Sequence, residues 1–388
     1  MRRPKAPASA SRPLVSPLQP SVVYATDPPD TLDGFYNGAE EGFTYSREGH
    51  PNARALAGMI DALEGTEGGI AGSSGMAAGS LAVMASVSAG GHVLASEHLY
   101  GRSLRLLTQD LPRFGITTSL FDPTDAVSAR AALRPETKAI LVEVVSHPTL
   151  RVADMEGLTA LAGEHGLTLI VDNTFTTPRL FTPLSRGAGS VLHSVTKLLA
   201  GHSDAMLGYV AAQDAAVAEH LEALAVTLGM TASPFDCWLA ERGLLTFPLR
   251  QERCQNNAQS VAEALADWAG IKEALYPGLP GHPDHNRTRA LLPLGAGTML
   301  SFTSGGGRAA ANAFSDGAGP LPLAPTLGDV TTTLSHPASS SHRALSEADR
   351  AALGISEGFF RLSVGVEPVD DILAALGRGL DAARAVSA

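Results

Sequence analysis

Two stretches decide how this chain is read: LTLIVDNT, residues 167–174, and SVLHSVTK, residues 190–197. Each is a short apolar run rich in Leu, Ile or Val that gives way to polar residues, the pattern of a parallel strand covered on both faces. Working outward, the same kind of run recurs. Strands are expected at His92–Ser96, Ile116–Phe121, Ala139–Val145, Leu167–Val171 and Ser190–Val195. Helical spacing at 104–111, 125–133 and 155–165 separates them, so the middle of the chain reads as βαβ units in a doubly wound α/β sheet. Ligands of such sheets sit at the carboxyl ends of the strands.

Those ends carry the residues with chemistry. Lys197 follows the second run, with Ser194 and Thr196 just before it. A lysine amine forms Schiff bases with carbonyl compounds and with pyridoxal phosphate, and neighbouring hydroxyls can hydrogen-bond a phosphate. The plainer reading is a solvated lysine at a helix start. Asp172 ends the first run, where a carboxylate can pair with the protonated pyridine nitrogen of pyridoxal phosphate and keep the ring an electron sink; an aspartate that merely caps a turn fits equally well. Gly72-Ser73-Ser74-Gly75-Met76 precedes a helical pattern. Its small residues allow backbone N–H groups and the helix dipole to meet an anion, although it matches no standard nucleotide loop and could simply begin a helix.

The flanks differ in character. Residues 1–52, rich in Pro, Gly and Asp, read as an extended arm, with a tail at the start. Residues 53–240 form the large domain, and from Glu241 a long polar helix (249–268), a strand (299–302) and a last helix (369–385) suggest a smaller α+β C-terminal domain, residues 241–388. The formal charge of −11 argues against nucleic acid or an anionic membrane as partner, and no apolar run is long enough for a membrane helix. Two cysteines, Cys237 and Cys254, supply neither a disulfide framework nor a metal pair and fit a reducing cytoplasm. His336 with His342, and His282 with His285, lack the carboxylates or thiols of a metal site.

Six segments in order, Tyr45-Ser46-Arg47, Ser74-Gly75-Met76, Tyr100-Gly101, Val171-Asp172-Asn173-Thr174, Ser194-Val195-Thr196-Lys197 and Arg361-Leu362-Ser363-Val364-Gly365, resemble the pyridoxal-phosphate-dependent enzymes of cysteine and methionine metabolism, the transsulfuration family that includes cystathionine γ-synthase and cystathionine γ-lyase. The resemblance runs from about Pro20 onward. It implies fold type I of the pyridoxal-phosphate-dependent transferases, with a mostly parallel sheet in the large domain, and pyridoxal 5'-phosphate as cofactor. It implies that Lys197 is the Schiff-base lysine and proton shuttle, that Asp172 pairs with the pyridine nitrogen and that Tyr100 stacks on the ring. Gly75, Met76, Ser194 and Thr196 would hold the phosphate, and Tyr45 and Arg47 would reach the phosphate of a neighbouring subunit in a homotetramer. Arg361 would grip the carboxylate of a small amino-acid substrate, with Thr326 and His147 beside it. The activity implied is γ-replacement or γ-elimination on a homoserine ester or cystathionine, with an O-acetyl- or O-succinylhomoserine sulfhydrylase or methionine γ-lyase as the alternative and a non-catalytic pyridoxal-phosphate-binding scaffold as a remote one.

The chain also departs from the family pattern. His50 and His147 stand where Asn is usual, Thr326 where Ser is common, and Thr331 where the cystathionine enzymes carry Glu. Gly328-Asp329 leans toward sulfhydrylases and methionine γ-lyases, whereas Arg102, in place of the cysteine of methionine γ-lyases, leans away from the latter. Leu104 replaces a position that is often Tyr.

Overall fold

The computed structural model of the chain describes residues 10–343 and 346–387; the first nine residues of the expected tail lie outside it. In chain order its strands are β1 (Ile70–Gly72), β2 (His92–Ser96), β3 (Thr117–Phe121), β4 (Thr137–Glu143), β5 (Thr168–Asp172), β6 (Ser190–Ser194), β7 (Gly208–Ala212), β8 (Ile271–Leu275), β9 (Met299–Ser304), β10 (Thr333–Ser335) and β11 (Phe359–Ser363). β3, β2, β4, β5 and β6 lie side by side and parallel, and β7 then β1 close one edge antiparallel. The large sheet is thus mostly parallel, as the sequence led us to expect.

Side-chain alternation explains why the inner strands are apolar at every position. Ile140, Val142, Leu169 and Val171 pack into one layer with Leu158 and Leu161 of the helix Met155–His165, while Ala139, Leu141 and Ile170 pack into the opposite layer with Leu81 and Val83 of the helix Gly75–Ser86. Helices cover both faces, so neither set can be polar. β1, with only three residues, shows no period, and β7, as long as β2, β5 and β6, begins on glycine, so neither is expected from the sequence. The expected single helix over 104–111 is instead a helix Gly101–Arg105, a wider turn Leu106–Asp110 and a tight turn Leu111–Phe114, since Pro112 cannot donate a backbone hydrogen bond. The segment read as an extended arm contains a helix, Pro29–Tyr36, started by a proline in its first turn.

The later part of the chain builds a second, antiparallel sheet in the order β10-β11-β9-β8. Its two faces have different tasks. Phe360 and Leu362 of β11 join Phe302, Phe314 and Leu376 in a core shared with the helices Phe247–Asp267, Gly307–Gly317 and Val369–Ser387. With a period of two, Arg361 and Ser363 must face the other way, toward the large sheet. Met299 of β9 joins the core of that sheet, and Ser301 donates to the carbonyl of Pro148 at 2.7 Å. Ala240 lies inside the helix Pro234–Leu244, and the helix Phe247–Asp267 starts in the large core with Phe247 and reaches the small one by Val261.

Candidate active site

The carboxyl ends of β4, β5 and β6 open into one cavity of about 1180 Å³. Gly75, Met76, Tyr100, His147, Asp172, Ser194, Thr196, Lys197, Thr326 and Arg361 all line it, so ten of the twelve residues singled out from the sequence converge. The other two do not. Tyr45 is 40 % exposed, and Arg47 lies over its ring at 5.5 Å and donates to the carbonyl of Val226.

Asp172 and Ser194 present their side chains to the cavity, whereas the residues next to them, Asn173 and His193, face away and lock the strand ends. Glu64, at the end of the helix Pro51–Glu64, accepts from Asn173 Nδ2 at 3.0 Å and pairs with His193 Nε2 at 2.5 Å, all three side chains being buried. Asp172 Oδ1 accepts from the backbone N–H and the hydroxyl of Thr174. Burial, followed by the neighbouring carboxyl of Glu143, raises its pKa to about 6.

Lys197 donates from Nζ to Thr326 Oγ1 at 3.2 Å, and Arg361 donates from Nη2 to the carbonyl oxygen of the same residue at 3.0 Å. Thr326 therefore ties the lysine of the large sheet to the arginine of the small one. Burial, then the positive charge of Arg361, lowers the pKa of Lys197, and burial lowers that of Arg361 to about 10. A lysine amine poised to lose its proton is what nucleophilic attack on a carbonyl requires. The loop that delivers Thr326 approaches the lysine backbone closely at Gly328: φ is +81°, and a Cβ there would lie 2.5 Å from Leu198 N. Glycine alone meets both demands. Ser363 accepts from Gly328 N at 2.8 Å and holds the loop down.

Two residues at the site were not singled out from the sequence. Glu143, fully enclosed at the end of β4, accepts from Tyr100 N at 2.7 Å and faces His147 Nδ1 at 3.2 Å. Its signal was present, since it ends an apolar strand as Asp172 does. Arg250 is buried behind Lys197 and donates to the carbonyls of Leu198, Leu199 and Gly243, each at 2.9 Å. It belongs to the polar helix Phe247–Asp267, and nothing in the sequence pattern marks it as buried. His147 sits with its ring 5.5 Å from Phe175 and 5.6 Å from Tyr100.

Several departures from the family pattern have plain structural roles. His50 caps the helix Pro51–Glu64: Nδ1 accepts from Ala53 N at 3.1 Å and Nε2 faces the Ala232 carbonyl at 3.0 Å. Thr331 is exposed and outside the cavity lining, whereas Arg102, Leu104 and His342 line it. His336 bridges Ser339 and the Glu357 carbonyl. Among the described residues no group of three or more His, Cys, Asp or Glu side chains could hold a metal ion, and no helix is long and apolar enough to cross a membrane.

The donor set fits pyridoxal phosphate. The helix Gly75–Ser86 opens at the cavity, where Ser74 caps Ala77 N, and a Cβ on Gly75 would press to 2.7 Å on Ser194. That leaves room for an anion only because position 75 is glycine. The hydroxyl of Thr196, by contrast, is already engaged by both the N–H and the carbonyl of Leu207.

A lysine, an aspartate and an arginine gathered at the carboxyl ends of a mostly parallel sheet define a pyridoxal-phosphate enzyme of fold type I acting on amino acids. The chain belongs to the Cys/Met metabolism PLP-dependent enzyme family, whose model matches residues 3–381. It is 36 % identical over 370 residues to the L-methionine gamma-lyase of Porphyromonas gingivalis, covering 95 % of this chain and 92 % of that one. It is 39 % identical over 347 residues to the O-succinylhomoserine sulfhydrylase of Pseudomonas aeruginosa, covering 89 % and 86 %. Among solved structures, the cystathionine gamma synthase of Xanthomonas oryzae, in complex with aminoacrylate and cysteine, superposes with a TM-score of 0.89 at 38 % identity over 96 % of this chain and 94 % of that one.

Proposed function

We infer that the protein carries out γ-replacement or γ-elimination on a homoserine ester or cystathionine. The observation that carries this reading is the bridge Lys197–Thr326–Arg361, which sets a Schiff-base-forming amine and a carboxylate fork at a fixed distance around one residue. Arg361 is suited to the substrate α-carboxylate because a guanidinium matches it with two parallel donors. Its Nε is buried without a partner among the described residues, a donor left for a ligand to satisfy. Arg102, Arg105 and Arg343 line the same cavity, which favours a substrate with a second anionic group over methionine.

Bound pyridoxal phosphate would supply an electron sink for the carbanion next to the substrate nitrogen. The chain's own contributions are then as follows. Asp172 holds a negative charge for the pyridine nitrogen, Tyr100 offers its ring as a stacking face, and Ser194 with the N–H groups of Gly75 and Met76 meets the phosphate, Thr196 lying next to it. Lys197 would hold the cofactor and, once released, would take the α-proton and then a β-proton on Nζ as the γ-substituent leaves, giving a proton back to carbon when the product forms. Thr326 and His147 border the carboxylate of the substrate. The nature of the leaving group and of the incoming thiol decides between replacement and elimination.

Tyr45 and Arg47 are exposed and away from the cavity of their own subunit, which supports a role at a neighbour's site, and a homotetramer with shared sites is the assembly we infer. The same reading divides the chain into an arm (1–52), a cofactor-binding domain (53–240) and a C-terminal domain (241–388). Two buried free thiols, Cys237 and Cys254, favour a reducing cytoplasm. The test is a panel of O-acetylhomoserine, O-succinylhomoserine, cystathionine and methionine, each with and without cysteine or sulfide. The visible absorption of the bound cofactor should be lost in Lys197→Ala. Turnover of methionine alone, or no visible absorption in the parent protein, would overturn the reading.

A further inference from the structure

Glu143 and Asp172 are partners in register across β4 and β5, so both side chains leave the sheet on the same side, with backbones about 4.8 Å apart. Two carboxylates so placed, enclosed and facing one cavity, do not both ionise at neutral pH. Their hydrogen bonds decide which one does. Asp172 is held as an anion by two donors from Thr174, the N–H at 3.0 Å and the hydroxyl at 2.5 Å. Glu143 receives one, the Tyr100 N–H on Oε1, and its other oxygen faces an imidazole nitrogen. Glu143 is therefore the member that keeps its proton, with His147 Nδ1 in place to accept a hydrogen bond from it.

We propose that Glu143 is a positioning residue that works as a neutral carboxylic acid, fixing His147 in the tautomer that presents Nε2–H to the carboxylate of the amino-acid substrate in the cavity shared with Arg361. A neutral imidazole carries one proton, and the hydrogen bond at one ring nitrogen sets which nitrogen has it. With Nδ1 occupied by the Glu143 hydroxyl, Nε2 becomes a donor. Had Glu143 been ionised, Nδ1 would carry the proton and Nε2 would turn a lone pair toward the substrate anion, which repels it. The flanking rings of Tyr100 and Phe175 keep the imidazole from turning over.

The charged and titratable groups around the pair agree. Burial, then the positive charges of Arg361 and Lys197, hold His147 neutral, with a pKa lowered to about 3, against the opposing influence of Asp172. Burial raises Glu143 to about 8, outweighing the Tyr100 N–H and Arg361. His342, near His147 and Arg361, is lowered to about 4, chiefly by burial and then by those two groups, so it too is uncharged at neutral pH. The contact between Glu143 and His147 is thus a hydrogen bond between neutral groups, not an ion pair.

This inference rests on the reading that the cavity binds an amino acid, so its test has one arm free of that reading. Infrared difference spectra of the cofactor-stripped protein at pH 7 should show a carboxylic-acid carbonyl band that is missing in Glu143→Gln; its absence from the parent would overturn the proposal whatever the substrate. In the loaded enzyme, kcat/KM should fall above about pH 8 as Glu143 ionises. Glu143→Leu, which leaves the Tyr100 N–H and His147 Nδ1 unpaired, should lower kcat/KM by roughly tenfold to a hundredfold, mostly through KM. Glu143→Gln, whose amide accepts from Tyr100 and donates to His147, should recover all but about fivefold of that loss and abolish the alkaline limb. A Gln variant as impaired as the Leu variant, or one that keeps the limb, would overturn the proposal.

Discussion

The turn that carries Lys197 is supported from behind by a single buried cation, which makes Arg250→Met a demanding test of the structure. In the parent, Nη1 donates to the carbonyl of Leu198, and Nη2 donates to those of Leu199 and Gly243. The Gly243 carbonyl also accepts from Thr246, so truncation leaves chiefly the Leu198 and Leu199 carbonyls without donors. At about 1–3 kcal/mol for each orphaned buried acceptor, offset by removal of a cation that burial disfavours, the net loss should be about 2–4 kcal/mol. Met fills most of the volume of the arginine stem, so little of this is a cavity effect. The same guanidinium fills the space under Gly201, whose N–H bonds to the Lys197 carbonyl and whose carbonyl accepts from Val330. Its loss should therefore loosen the lysine turn and the loop bearing Thr326 together. The assay is urea unfolding at fixed protein concentration, with cofactor absorbance followed in the same samples. The midpoint should fall with an unchanged slope, and the absorbance should be lost before the far-ultraviolet signal. A variant within about 0.5 kcal/mol of the parent, with the two signals coincident, would refute the reasoning.

Other expectations are more local. Gly328→Ala should cost about 1–3 kcal/mol, because φ is +81° and the new Cβ would meet Leu198 N at 2.5 Å; a shift of the lysine pKa seen in the pH dependence of cofactor absorbance would report the displaced Thr326. Phe360→Ala removes the centre of an aromatic cluster whose rings lie 4.9 and 5.6 Å away, and a loss of about 3–5 kcal/mol is expected by thermal unfolding. Replacing His50 by Asn should leave stability within about 0.5 kcal/mol, whereas His50→Ala should cost about 1 kcal/mol, since only the Ala variant leaves Ala53 N uncapped. The two carboxyls of the site carry a pH signature. Both Asp172 and Glu143 are raised in the folded state, so the protein binds more protons folded than unfolded between the ordinary carboxyl range and about pH 8. Their contribution to stability is complete below that range and declines as pH rises through the folded values, which unfolding midpoints in Glu143→Gln and the parent would separate.

How much of this was legible in the sequence depends on which physical constraint acted. Strands covered on both faces leave continuous apolar runs, and β2, β4, β5 and β6 could be read for that reason. Their abrupt polar ends marked Asp172 and Lys197. β1 is an edge strand of three residues, too short to display a period, and β7 beside it is as long as β2, β5 and β6 but begins on a glycine. Glu143 carried the same mark as Asp172 but stood inside a run that reads as strand through Val145, so its position at the strand end showed only once the backbone was traced. Arg250 could not be read at all: its role comes from carbonyls of a turn more than forty residues away, which no local pattern encodes. The bond from Thr326 to Lys197 is equally non-local, although the glycine two residues on left a trace of the close approach.

The alternation along β11 makes the placement of the substrate anchor self-checking. A slip of one residue would drive the Arg361 guanidinium into the core of Phe302, Phe314 and Leu376 and turn Phe360 and Leu362 toward the cavity, exchanging every inward group for an outward one at once. Because the wrong register would bury a charge among aromatic rings, it is excluded by a margin far larger than any single contact to the substrate could provide. Binding specificity is thereby insured by the apolar neighbours of the arginine, and drift in Phe360 or Leu362 toward polar residues would erode substrate recognition without touching a single atom of the site.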